Sequence, residues 1–138
     1  MVAYILNSKH DNDNICLATG WGSNVFAVVL DGQEGEYALG MLAKVYNEKV
    51  PHTAKIISHE GKRLIFNLPL GLYIPAVLRI LPGLEVRGNG GYVFLPPSKI
   101  NGQEVVWDIG CGPCEIEPAE APAWLIDSIC FCMEVCFG

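Results

Sequence analysis

Cysteines are the residues of this sequence best suited to metal or redox chemistry, and the chain has six of them. Cys111 and Cys114 form a CxxC pair, while Cys132 and Cys136 are one helical turn apart and follow Cys130. Two pairs of thiolates are typical ligands of structural zinc. The order CxC followed by CxxxC departs from the usual zinc-knuckle spacing, so buried free cysteines are the alternative. We therefore treat Cys111, Cys114, Cys132 and Cys136 as a candidate Zn²⁺ site.

The CxxC pair also reads Cys-Gly-Pro-Cys, which is the tetrapeptide of thiol–disulfide oxidoreductases. Redox chemistry of that kind needs the first cysteine at a helix N-terminus, where the dipole lowers the thiol pKa. Pro118 disfavours an ordinary helix at this point, and the carboxylates of Glu115 and Glu117 oppose thiolate formation. The sequence therefore does not favour a redox site.

Six basic residues in the middle of the chain could bind phosphate, because ammonium and guanidinium groups are the usual phosphate ligands among side chains. The alternative is that they are ordinary solvated charges at strand edges. These residues are Lys55, Lys62, Arg63, Arg79, Arg87 and Lys99.

The acidic residues are concentrated at the other end of the sequence. Residues 1–99 contain nine basic and eight acidic residues, whereas residues 100–138 contain seven acidic residues and no basic one. The whole chain has a formal net charge of −6, so long-range attraction to nucleic acid should be weak. The acidic segment could instead bind a partner or imitate a nucleic acid.

Length and composition describe the scaffold that positions these residues. A chain of 138 residues is expected to form a single domain over 1–138. Its hydrophobic fraction of 51% excludes disorder, and its 15 glycines and 9 prolines disfavour a pure helical bundle. No segment is long and apolar enough to span a membrane, and no signal peptide is evident. We expect a cytoplasmic protein with reduced thiols.

The first half of the chain alternates strand and helix patterns. The apolar run Val25 to Leu30 predicts a buried strand, and apolar residues at helical spacing predict a helix over 34–48. Lys55 to Ser58 and Arg63 to Leu68 flank a turn that contains glycine, which favours a hairpin.

The second half reads as short strands followed by a helix. Leu84 to Arg87 and Tyr92 to Leu95 flank four residues, Gly88 to Gly91, that would let a ligand or another strand approach the backbone. Glu104 to Trp107 reads as a further strand, and Trp124 to Cys136 as a helix. The predicted fold class is α+β, with a mixed β-sheet core flanked by helices.

Four segments in order resemble one known family. They are NICLATG (14–20), VVLDGQEG (28–35), SHEGKRLIF (58–66) and LEVRGNGGYVFLPPS (84–98). The family is the bifunctional primase/polymerase, or prim-pol, domain of plasmids, phages and integrated elements. The resemblance covers about residues 14–126. It ends within the acidic, cysteine-containing C-terminal segment, which is residues 110–138.

The resemblance implies a mixed-sheet core that starts or extends a primer with two Mg²⁺ or Mn²⁺ ions. In the family an acidic pair follows the first strand, a histidine follows a small-residue turn, and a third acid precedes the glycine-rich stretch. In this sequence Val29 and Asp31 stand at the acidic pair, Arg63 at the histidine, and Glu85 at the third acid. Asp31 and Glu85 would thus be remnants of the catalytic site that bind a divalent ion weakly.

The resemblance also points to basic and polar residues that could bind phosphate. Arg63 offers a permanently charged fork to phosphate oxygens, and Lys62, Arg87 and Ser98 join it as predicted nucleotide or phosphate ligands. The alternative for the arginines is a salt bridge to a neighbouring glutamate.

Three functions remain open at this point. The first is a degenerate prim-pol domain from a mobile element or phage, which binds a nucleotide or single-stranded or primer-template DNA and works with a replication partner. The second is an active primase/polymerase in which His59 and either Asp13 or Glu34 replace the lost groups. The third is an accessory protein that uses the acidic segment 100–138 to bind its partner.

Overall fold

The computed structural model describes the backbone of residues 3–6 and the chain from 14 to 137. Two helices lie in this part, α1 (Gly32–Val45) and α2 (Ala123–Phe137). The remaining elements are strands: β1 (Ala3–Leu6), β2 (Asn14–Ala18), β3 (Val25–Asp31), β4 (Ala54–Ser58), β5 (Gly61–Asn67), β6 (Leu78–Leu81), β7 (Leu84–Arg87), β8 (Tyr92–Leu95), β9 (Lys99–Ile100), β10 (Gln103–Glu104), β11 (Val106–Trp107) and β12 (Ala119–Glu120).

A seven-stranded sheet forms the centre of the fold. Its strand order is β11-β4-β5-β3-β7-β6, and β12 pairs with β5 in parallel. The apolar run in β3 is buried on both faces, as its sequence predicts. The other pairs along this order are antiparallel, so the sheet is mixed and the predicted α+β class is confirmed.

The two faces of this sheet are covered differently. Both helices contribute to the core on one face, where Phe26 and Phe66 stack with ring centroids 5.9 Å apart. On the other face a second sheet of order β1-β2-β8 contributes Leu17, Val93 and Leu95 to a separate core. Side chains of one strand alternate between faces, so neighbouring residues of β3 and β5 enter different environments.

The acidic C-terminal segment is part of this architecture. Trp124, Leu125 and Ile129 of α2 are buried in the helix-side core, and β12 adds to the central sheet. The segment is therefore not a detachable tail, and deleting residues 100–138 would remove core side chains. No helix in the described part of the chain is long and apolar enough to cross a membrane.

Several boundaries differ from those expected. Helix α1 begins at Gly32, directly after Asp31, and the β4–β5 turn is only His59 and Glu60. The strand expected over 104–107 is two short strands separated by Val105, which is buried and donates its N–H to the Ser98 carbonyl. Because Val105 turns into the core, residues 103–107 do not form one continuous strand, and β10 and β11 pair with different neighbours.

The glycine-rich turn between β7 and β8 has a structural explanation. A Cβ on Gly88 would overlap the Ile74 carbonyl oxygen, and one on Gly91 would lie 2.6 Å from that of Ala76. It is thus another part of the chain, rather than a ligand, that approaches this backbone. The turn also sends β7 and β8 into different sheets.

Candidate functional site

Three positions that the resemblance singled out lie in one row across the central sheet. Val29 of β3 is the register partner of Arg63 on β5 and of Glu85 on β7. Directly opposed residues of antiparallel strands place their side chains on the same face, about 5 Å apart at Cβ. Asp31 lies two residues beyond Val29 and so belongs to the same face. The fold therefore brings Val29, Asp31, Arg63 and Glu85 together.

These residues line an open cleft of about 310 Å³ at the end of β3. Carboxylates and guanidinium groups alternate around it, with Pro82 and Gly83 of the β6–β7 turn at one end. The charged residues are Asp31, Glu34, Glu60, Glu85, Arg63, Arg79 and Arg87. A cleft with this lining suits a charged ligand rather than an apolar one.

Glu85 is held between two arginines. Its Oε2 lies 3.1 Å from Nη2 of Arg87, and its Oε1 lies 3.3 Å from Nη2 of Arg79. Both carboxylate oxygens therefore already accept from a guanidinium group. The Glu85 and Arg87 side chains are both mostly covered, so their pair is partly shielded from solvent, whereas the Arg79 side chain is 70% exposed and its pair with Glu85 is screened.

Arg63 is the most deeply placed charge in the cleft, with its side chain 14% exposed. Its Nη1 donates to Oγ of Ser58 at 2.9 Å, while Nη2 is 3.7 Å from Oε2 of Glu60, which is beyond hydrogen-bonding distance. Burial lowers the pKa of Arg63, and the charge of Glu60 opposes that change. An arginine stays charged in a protein, so several of its five donors remain for a ligand.

Arg87 also has an unused donor. Its Nε is buried and has no hydrogen-bond partner among the described residues. Arg87 and Arg63 form a wall shared by the cleft and a small cavity of about 50 Å³, which Ser58, Tyr92 and Phe94 also line. Buried donors of this kind usually have a partner, so an acceptor is expected here.

The residues present do not fit the two metal ions that the resemblance implies. Val29, which the resemblance sets at a ligand position, has a side chain that cannot bind metal, and Glu85 is engaged by two arginines. In the described residues no three His, Cys, Asp or Glu side chains are arranged to hold a metal ion. Arg63 adds a fixed positive charge to the same row of the sheet, and this charge repels a cation.

Two of the predicted phosphate ligands lie elsewhere. Lys62 faces the helix side, where its Nζ donates to Oε1 of Glu36 on α1 at 2.8 Å, and this hydrogen bond raises the pKa of Lys62. Ser98 is buried, accepts from the Ile15 N–H and donates to the Ile15 carbonyl. Successive side chains of a strand point to opposite faces, so Lys62 and Arg63 lie on opposite sides of the sheet. The hydroxyl of Ser98 links the β8–β9 connection to β2 by hydrogen bonds.

The replacement residues of the active-polymerase alternative do not converge either. His59 is exposed in the β4–β5 turn and is not part of the cleft lining, whereas Glu34 is. Asp13 lies outside the described residues. The three converging acidic ligands that this alternative requires are thus not found in the described part of the chain.

The four cysteines of the candidate zinc site are not brought together. The Cys111 carbonyl accepts from Lys55 of β4, while the Cys132 thiol donates to the Arg79 carbonyl of β6. Three strands separate β4 from β6, which places the two pairs about 19 Å apart. Cys111 begins a turn rather than a helix. Cys132 and Cys136 instead line a groove beside α2.

The sequence indicated Arg79 only as one of six basic residues and did not indicate Tyr92. Arg79 lines the cleft, and Tyr92 lines the adjoining small cavity. Arg79 reaches Glu85 because β6 and β7 form a hairpin, with Arg79 and Glu85 as register partners. The Pro82-Gly83 turn between two short apolar runs was the signal that could have indicated it. Tyr92 lines the same small cavity as Arg87 only because the chain crosses between sheets, for which the sequence carries no local signal.

Comparison with known proteins gives one match, to a protein-family model. The family model described as bifunctional DNA primase/polymerase, N-terminal, matches residues 3–124. Searches of curated proteins and of solved structures found no match.

Proposed function

Because the chain belongs to the bifunctional DNA primase/polymerase N-terminal family, we propose that it is a degenerate member that binds phosphate without polymerising nucleotides. Its ligand is a nucleotide or a DNA strand, as the family's chemistry suggests, and its source is a mobile element or phage. The protein would act in the cytoplasm alongside a replication partner. In this function arginine side chains bind phosphate, and the two-metal polymerase reaction does not take place.

The position of Arg63 is the observation that carries this proposal. Its partly buried guanidinium group stands in the row that also holds Val29 and Glu85, and the resemblance sets it at the place of the family's histidine. Arg63 donates to Ser58 and lines the cleft with further N–H groups that Ser58 does not use. A phosphate accepts two parallel hydrogen bonds from such a fork.

The electrostatics limit how tight the binding can be. The cleft is lined by four carboxylates and three arginines, so an incoming phosphate meets repulsion as well as attraction. The net charge of −6 also slows the approach of a polyanion. Binding should therefore weaken as salt rises, with a slope set by the few phosphates contacted.

A titration of labelled nucleotide and labelled single-stranded DNA tests the proposal. Arg63→Ala should weaken binding about 10- to 100-fold, because a charge-assisted hydrogen bond is worth about 1.5–3 kcal/mol. Lys62→Ala is the matched control, since it removes an adjacent positive charge on the opposite face. Equal affinities of the wild type and Arg63→Ala at every salt concentration would contradict the proposal.

A primer-extension assay tests the missing activity. With Mg²⁺ or Mn²⁺ and deoxynucleotides, we expect no extension, because under this proposal Val29 and Arg63 replace an acid and a histidine of the two-metal site. Robust incorporation that disappears on Asp31→Ala would overturn the proposal and restore the active-polymerase alternative.

A further inference from the structure

Tyr92 is an exposed aromatic side chain beside the two arginines of the cleft. It is the first residue of β8, its side chain is 46% exposed, and it lines the small cavity together with Arg63 and Arg87. Its neighbour Val93 is buried in the core between the sheets. Packing therefore explains Val93 but leaves nearly half of Tyr92 exposed.

The ring of Tyr92 is held in place. It packs edge to face on Phe94, with centroids 5.6 Å apart and planes at 82°. Phe94 is itself half-buried against the core between the sheets. An edge-to-face contact leaves a face of the tyrosine ring free for another flat group.

The size of the cavity limits what can enter it. A volume of about 50 Å³ has room for only a few water-sized groups. The cavity is lined by Arg87, whose Nε has no partner among the described residues, and it can accept oxygen atoms of a phosphate but not an aromatic base. A base attached to that phosphate must remain outside, where the exposed tyrosine ring lies.

We propose that Tyr92 stacks on the base of a nucleotide whose phosphate is bound by Arg63 and Arg87. This inference rests on the proposed function and deepens it by naming how the base is bound. Stacking uses the face that every base has, so it selects a nucleotide over a bare polyphosphate without selecting a base. The nucleotide is either free or part of a single strand.

The test compares ligands with and without a base. Inorganic tripolyphosphate, a deoxynucleoside triphosphate and a single strand of eight nucleotides are titrated against the wild type, Tyr92→Ala, Tyr92→Phe and Arg63→Ala. Tyr92→Ala should weaken binding of at least one base-containing ligand about fivefold or more, since stacking is lost. It should leave tripolyphosphate unchanged, and Tyr92→Phe should bind like the wild type.

The outcomes separate the two claims. Arg63→Ala should weaken all three ligands, including tripolyphosphate. If Tyr92→Ala has no effect, or weakens tripolyphosphate equally, stacking is refuted while the arginine site stands. If Arg63→Ala has no effect, the proposed function itself fails. An effect of Tyr92→Ala on the single strand alone would identify a strand as the ligand, and an effect on the triphosphate would identify the free nucleotide.

A matched variant guards against a general loss of folding. Tyr73→Ala removes a similarly exposed tyrosine that packs edge to face on Trp21 instead. We expect it to bind all three ligands like the wild type. If Tyr73→Ala and Tyr92→Ala weaken nucleotide binding equally, the effect is not local to the cavity and the stacking proposal is wrong.

Discussion

Arg63 and Glu85 stand in the same row of the central sheet, each directly opposite Val29 and on either side of it. Two strand spacings put their Cα atoms about 10 Å apart, and Glu85 turns to Arg79 and Arg87 rather than to Arg63. Val29 thus lies between the partly buried guanidinium group of Arg63 and the carboxylate of Glu85, which is paired with two arginines. This order of side chains suits an anion better than a pair of metal ions.

Neutralising Glu85 should improve phosphate binding. In Glu85→Gln the two arginines lose a competing carboxylate, so we expect nucleotide affinity to rise about three- to tenfold, which corresponds to removing roughly 1 kcal/mol of repulsion. Isothermal titration at low salt measures the change. Glu36→Gln, on the helix side with Lys62, should have no effect. A loss of affinity in Glu85→Gln would indicate that this carboxylate acts as a metal ligand instead.

Two glycines of α1 should respond oppositely to alanine. A Cβ on Gly35 would overlap the Gly83 carbonyl oxygen and approach Cα of Leu30 at 2.8 Å, so we expect Gly35→Ala to destabilise the fold by about 1–3 kcal/mol. Gly40 has open space around it, and Gly40→Ala should stabilise by about 0.5–1 kcal/mol because alanine restricts the unfolded chain. Urea denaturation measures both. Changes of the same sign would refute the packing of α1 against the β6–β7 turn.

A buried phenylalanine of the core and an exposed one on α2 should contribute differently to the free energy of unfolding. Phe66 is fully buried and stacks on Phe26, so Phe66→Ala should reduce the free energy of unfolding by about 3–5 kcal/mol. Phe131 is mostly exposed, and Phe131→Ala should change it by no more than about 0.5 kcal/mol. Thermal and urea unfolding give the comparison, and a large cost at Phe131 would show that its side of α2 is covered in solution.

The cysteines should differ in their rates of alkylation. Burial raises the pKa of Cys16, and burial together with a hydrogen bond to Cys136 raises that of Cys132. A raised pKa means less thiolate at pH 8, so both should react with iodoacetamide more slowly than the exposed Cys114. Mass spectrometry of timed samples gives the order, and the differences should vanish in urea. Fast labelling of Cys16 in the native protein would contradict its placement in β2.

Much of the fold could be predicted because its signals are local. The apolar run of β3, the helical spacing of α1 and the β4–β5 turn each reflect the periodicity of one segment. The partners of Lys62 and Ser98 could not be predicted in this way, because each bonds to an element that is distant in the sequence. Lys62 follows the alternation of β5 to the helix side, and the hydroxyl of Ser98 is used by Ile15 from β2.

The sequence by itself determined the α+β class and the buried strand at the centre of the sheet, and its resemblance to the family implies that Val29 and Arg63 stand where the family has an acid and a histidine. Only the tertiary structure decided which charges meet. Arg87 lies two residues from Glu85 on the same strand, and Arg79 meets Glu85 through the local β6–β7 hairpin. Glu85 and Arg63, by contrast, share a row only because β3 pairs with both β5 and β7, and Tyr92 lines the small cavity with Arg87 from a different sheet. These last two placements depend on the register and crossing of strands far apart in the chain, and no local pattern of residues encodes them.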